Sequence, residues 1–106
     1  MLRIYPICQE VAREALRVAR VVRPHDKNLA DQLARAGTSI PLNVSEGSYS
    51  RGGNRNNRYH TAMGSASETR TILELVEGVG WVARDEEQHA RIRQIIGTLV
   101  RVLRLA

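Results

Sequence analysis

The stretch Leu29-Ala30-Asp31-Gln32-Leu33-Ala34-Arg35-Ala36-Gly37-Thr38-Ser39-Ile40-Pro41-Leu42-Asn43-Val44-Ser45-Glu46-Gly47 decides the fold. Leu29, Leu33, Ala36, Ile40, Val44 and Gly47 recur at three- and four-residue intervals, which is one face of an α-helix. Pro41 removes one helical hydrogen bond and predicts a kink. The apolar phase continues across it, so one kinked helix is expected, running from an N-cap at Asp26 to Gly47 or Ser48.

The same period governs the chain on both sides. Upstream, Ile4, Ile7, Val11, Ala15, Val18 and Val22 form a stripe over about residues 3–23. A second row, Tyr5, Cys8, Ala12, Leu16 and Ala19, lies beside it. Together they cover about half the helix, more than the stripe of roughly 100° that a bundle helix needs. Tyr5, Ala12 and Leu16 are therefore expected at a subunit interface. Downstream, residues 54–79 carry small residues (Ala62, Gly64, Ser65, Ala66, Ser67, Thr69) followed by Ile72, Leu73, Val76 and Val79. A last segment opens on Asp85-Glu86-Glu87-Gln88, with capping-box spacing, and continues through Ile92, Ile95, Ile96, Leu99, Val102 and Leu103.

Breaks at Arg23–Asp26, Tyr49–Asn54 and Gly78–Trp81 carry Pro or Gly and separate these four segments. Short connections force antiparallel neighbours. The fold class expected is all-α, an antiparallel up-down four-helix bundle, with residues 1–106 as one domain. No segment is apolar for the roughly 18 residues of a membrane span. Residues 1–7 lack a signal-peptide core, and Cys8 has no partner in the chain, so a cytoplasmic setting is expected.

Lys and Arg number 16 against 11 Asp and Glu, a formal charge of +5. Lys27 is the only lysine. Arginine suits bidentate contact with phosphate, and a GC-rich genome also favours it; the composition permits nucleic-acid binding without requiring it. Three clusters are candidates for RNA or DNA contact: Arg13, Arg17 and Arg20 on the first helix, partly offset by Glu10 and Glu14; Arg51, Arg55 and Arg58 around a Gly- and Asn-rich second loop; and Arg93, Arg101 and Arg104 on the last helix.

Asn43 lies on the apolar stripe of the second helix, flanked by Ser39 and Glu46. Ser65 and Glu68 occupy the corresponding face of the third. Buried polar groups must find partners. Such a seam is either a hydrogen-bond cluster fixing register or subunit contacts, which is preferred, or a ligand or partner site between the helices.

Ile40-Pro41-Leu42-Asn43-Val44-Ser45-Glu46-Gly47 resembles the "IPxNIAEG" signature of the bacterial four-helix bundle proteins, a family that includes proteins encoded by intervening sequences in large-subunit ribosomal RNA genes. Tyr59-His60-Thr61-Ala62-Met63-Gly64-Ser65-Ala66-Ser67-Glu68 resembles its second block, an aromatic followed by "A-x-G-S-x-x-E". Ser45 stands where the family usually has alanine. The resemblance implies a ring-shaped homo-oligomer, typically a homopentamer. It also implies kinship with the basic accessory proteins of diversity-generating retroelements, which bind a reverse transcriptase and its template RNA.

Enzyme templates fail. Glu86 and His89 match one Glu-x-x-His pair of di-iron bundles, but no second copy exists. No cofactor or metal is expected, Cys8 is assigned to the core, and Trp81 to a lid on the bundle end. The leading expectation is a non-enzymatic oligomeric scaffold for RNA or an RNA–protein complex. Its alternative is a protein-interaction ring without nucleic acid.

Overall fold

A computed structural model describes residues 1–105, with only the backbone of Leu105. Four helices run α1 Tyr5–Val22, α2 Lys27–Ser48, α3 Gly52–Gly78 and α4 Glu86–Leu105, with no strand among the described residues. The molecule is elongated, 42 × 23 × 18 Å. Each helix packs on its neighbours in the order α1–α2–α3–α4–α1, the closed square of an up-down bundle. The Asp26 carboxylate accepts the Leu29 N–H at 2.9 Å and caps α2. α2 passes through Pro41 as one helix. Asp85 accepts the Gln88 N–H at 3.2 Å, one half of the capping box. The other half is absent, because the Gln88 side chain donates instead to the Val11 carbonyl at 3.0 Å.

Residue size sets the spacing of the helices. Ala12, Ala15, Ala36, Gly37, Ala62 and Ala66 are buried where α1, α2 and α3 meet, and small side chains let backbones approach closely. At Gly37 a Cβ would overlap the Cβ of Ala15. α4 contributes Ile92, Ile95 and Leu99, all fully buried, and its backbone stands farther off.

Two expectations need correction. Cys8, Ala12 and Ala19 are buried within the chain. α1 is wedged between α2 and α4, and this absorbs most of its wide apolar arc. Ala12 is thus not available to another subunit, Tyr5 is half-buried against the core, and only Leu16 of the expected interface set is exposed. Second, the Gly- and Asn-rich segment is not a loop. α3 begins at Gly52, so only residues 49–51 connect α2 to α3. Gly52 makes this short corner at φ 56°, in the left-handed region that disfavours side chains.

Candidate nucleic-acid interface

Ser39, Asn43 and Ser65 meet between α2 and α3, whereas Glu46 and Glu68 stay outside their hydrogen bonds. Asn43 Nδ2 donates to the Ser39 carbonyl and to Ser39 Oγ, both at 2.9 Å. Ser65 Oγ donates across the α2–α3 contact to Ser39 Oγ at 2.8 Å. Thr69, fully buried, donates to the Ser65 carbonyl at 2.7 Å. Among the described residues, no buried side-chain nitrogen or oxygen lacks a partner. A seam whose bonds are internally satisfied fixes register and leaves little to offer a ligand. Gly47 lies under the buried Tyr59 ring, where a Cβ would sit 2.7 Å from Cδ1. Glu46 and Glu68 are exposed at the margins.

One buried pair escapes the sequence reading. His89 (2% exposed) donates from Nε2 to both carboxylate oxygens of Glu77 (8% exposed), at 2.8 and 2.9 Å. The pair ties the end of α3 to the start of α4. His89 thus engages Glu77 from the preceding helix, not Glu86 as a ligand partner. Among the described residues no three His, Cys, Asp or Glu side chains gather as a metal site requires. Nearby, Trp81 stacks on His25 with centroids 4.8 Å apart and planes 8° apart, closing the end of the bundle as a lid.

The net charge, rather than the arginines themselves, sorts along the long axis. The up-down topology places the N-terminus, the α2–α3 corner and the end of α4 together. Arg3 and Arg101 line one surface cleft there, and Leu2 joins it to a second cleft that holds Arg55. In the helix halves nearer this end stand Arg3, Arg13, Arg51, Arg55, Arg58, Arg101 and Arg104 against two acids, Glu10 and Glu46. The opposite halves hold the remaining nine cations and nine acids. The formal +5 therefore resides entirely in one half of the molecule.

Pairing reinforces the asymmetry. In the neutral half Arg17 meets Glu14 at 2.7 Å, Arg23 meets Asp31 at 2.7 Å, Arg91 meets Glu87 at 3.3 Å, and Arg84 bridges Glu86 and Glu77. Hydrogen bonds from Arg23 and Arg84 hold the Asp31 and Glu86 carboxyls below the usual carboxylate range. In the basic half only Arg13 has an ion pair among the described residues, with Glu10 at 2.8 Å. Arg55 lies 5.5 Å over the Tyr59 ring, which orients its guanidinium. Arg58 lines an open polar cleft of about 360 Å³ with Ser50, Asn54, Asn57 and Thr61. The three expected clusters are thus redistributed. Arg51, Arg55, Arg58, Arg101 and Arg104 share one end. Arg17 and Arg20 belong to the other, and Arg93 lies roughly 12 Å along α4 from Arg101.

An antiparallel four-helix bundle with a satisfied polar seam and one acid-poor, net-basic end defines the class of this molecule. More narrowly, the chain belongs to the 23S rRNA-intervening sequence protein family, whose model matches residues 1–104. A crystal structure of a protein of unknown function from the S23 ribosomal protein family of Bacteroides thetaiotaomicron is similar. It superposes with a TM-score of 0.85 at 22% identity, covering 94% of this chain and 97% of that one, a likeness of fold. No curated protein matches the sequence. No helix among the described residues is long and apolar enough to cross a membrane.

Proposed function

We propose that the protein is a non-catalytic, cytoplasmic scaffold whose net-basic end binds RNA, free or held by a protein such as a reverse transcriptase. The observation carrying this reading is the placement of the whole net charge in one half, where, among the described residues, every arginine but Arg13 is without an ion pair. Unpaired guanidinium groups suit phosphate oxygens geometrically. The cations divide almost evenly between the halves, seven against nine, so what sets this end apart is the scarcity of acids around its arginines, two against nine. Further copies strengthen the reading. Exposed Leu16, Leu42, Leu75 and Val79 offer apolar contacts for self-association, and a ring, five-membered as the family resemblance implies, would set its basic ends on one rim and multiply a weak contact.

The test is RNA affinity as a function of salt. Each neutralised phosphate contributes roughly −0.7 to the slope of log K against log salt for a single strand. Changing Arg51, Arg55 and Arg58 together to Gln should flatten that slope by about two. Unaltered affinity in the triple variant would reject the interface and leave a protein-interaction scaffold, and the mass in solution tests the ring.

A further inference from the structure

The basic end carries an aromatic side chain that neither the core nor the bundle lid employs. Tyr49 caps the C-terminus of α2 and is 85% exposed, more than any other large apolar side chain described. Burial explains the other aromatics: Tyr59 lies in the core, Tyr5 packs partly against it, and Trp81 closes the opposite end on His25. A ring of this size left in water offers apolar area that a ligand can cover, and its surroundings say which ligand. Tyr49 stands at the three-residue corner, within about 8 Å, Cα to Cα, of Arg51, and next to Ser50 of the polar cleft that contains Arg58. Arginines beside an exposed ring form the pattern that holds unpaired bases, phosphates on the cations and a base face on the ring. A duplex hides its base faces in the stack and cannot use such a ring.

Resting on the proposed RNA binding, we infer that Tyr49 is a base-stacking platform and that the ligand is single-stranded RNA. Leu42 lies two helical turns back on the same face and is 63% exposed, so a second copy of the chain is the competing occupant. The cations and polar cleft around Tyr49, against a single nearby acid, Glu46, favour the polyanion.

The experiment compares wild type, Tyr49→Ala and Tyr49→Phe on a labelled 12-nucleotide oligouridine and on an RNA duplex of the same length, by fluorescence anisotropy across a salt series. Tyr49→Ala should weaken single-strand binding roughly 5- to 150-fold, the range for losing one stacked base. Its salt slope should stay that of wild type, because no phosphate contact is removed. Tyr49→Phe should bind as wild type does, and duplex affinity should not change in either variant. Undiminished single-strand binding by Tyr49→Ala overturns the inference. So does a wild type that binds only duplex, an outcome that leaves basic-end RNA binding standing. Equal losses on both RNAs with a fall in solution mass would assign Tyr49 to a contact between copies and overturn it too. A wild type that binds neither RNA at low salt removes the inference and the RNA reading together.

Discussion

Gly37→Ala tests the packing that sets the whole bundle. The added methyl would improve the intrinsic preference of α2 for helix by about 1 kcal/mol. It would also overlap the Cβ of Ala15, which is fully buried and fixed to the α1 backbone. That atom cannot swing aside as a long side chain could, so α1 and α2 must separate. Overpacking costs about 1–3 kcal/mol, and a rigid Cβ–Cβ overlap belongs at the upper end. The net expectation is a loss of about 2 kcal/mol, or about 1 M in urea midpoint for an m-value near 2 kcal/mol/M. Gly64→Ala supplies the control. Gly64 is in the middle of α3, and a Cβ there meets nothing within 4 Å. That variant should gain about 0.5–1 kcal/mol. Urea unfolding followed by circular dichroism, at matched protein concentration, reads both. Adding Ala15→Gly should recover most of the Gly37→Ala loss, since the pair is coupled through one contact. A Gly37→Ala protein as stable as wild type, with no coupling to position 15, would refute the size argument. If Gly64→Ala is destabilising, its face is covered by another chain.

Other consequences are as direct. His89→Leu leaves the Glu77 carboxylate only its 3.5 Å ion pair with Arg84 and should cost about 3 kcal/mol; Glu77→Gln, which keeps a hydrogen bond to His89, should cost about 1 kcal/mol, and thermal unfolding of the two variants compares them. Removing the α2 cap by Asp26→Ala should cost about 1 kcal/mol and Asp26→Asn only a few tenths, read as urea midpoints. Burial pushes the Cys8 thiol up to about 12 from an ordinary value of 9.0, so iodoacetamide at pH 8 should label the folded protein only as fast as it opens. The same burial makes the protonated thiol a stabilising group whose contribution is complete below pH 9.0 and declines as pH rises from there to about 12. Cys8→Ala should therefore lose less stability than wild type between pH 9 and 11.

The helices and the seam were legible because both are local or periodic properties. The stripe through Ile40 and Val44 marks the buried face of α2, and Ser39, Asn43 and Ser65 meet as their shared phase requires. What escaped was long-range. Glu77 and His89 stand on different helices across a turn, and no periodicity within either helix joins them. The wide arc of α1 suggested an interface because a wheel shows one helix and not the number of neighbours it has. Gly52 to Asn57 suggested a loop on composition, yet an exposed helix start tolerates Gly and Asn where a core helix would not. The charge asymmetry was within reach: folding the arginines onto the expected up-down topology would have placed Arg51, Arg55 and Arg58 beside Arg101 and Arg104.

The lopsided charge also bears on how copies of the molecule can meet. Parallel copies bring like-charged ends together, and at 0.1 M salt their repulsion extends only about 10 Å. Added salt should therefore favour parallel assembly while it weakens attachment to a polyanion, two salt dependences of opposite sign in one protein. A strand laid across neighbouring ends would neutralise the repulsion that salt otherwise screens. Ligand binding and self-association would then promote each other, by the same factor in each direction, and the ligand rather than the bundle would set when the assembly closes.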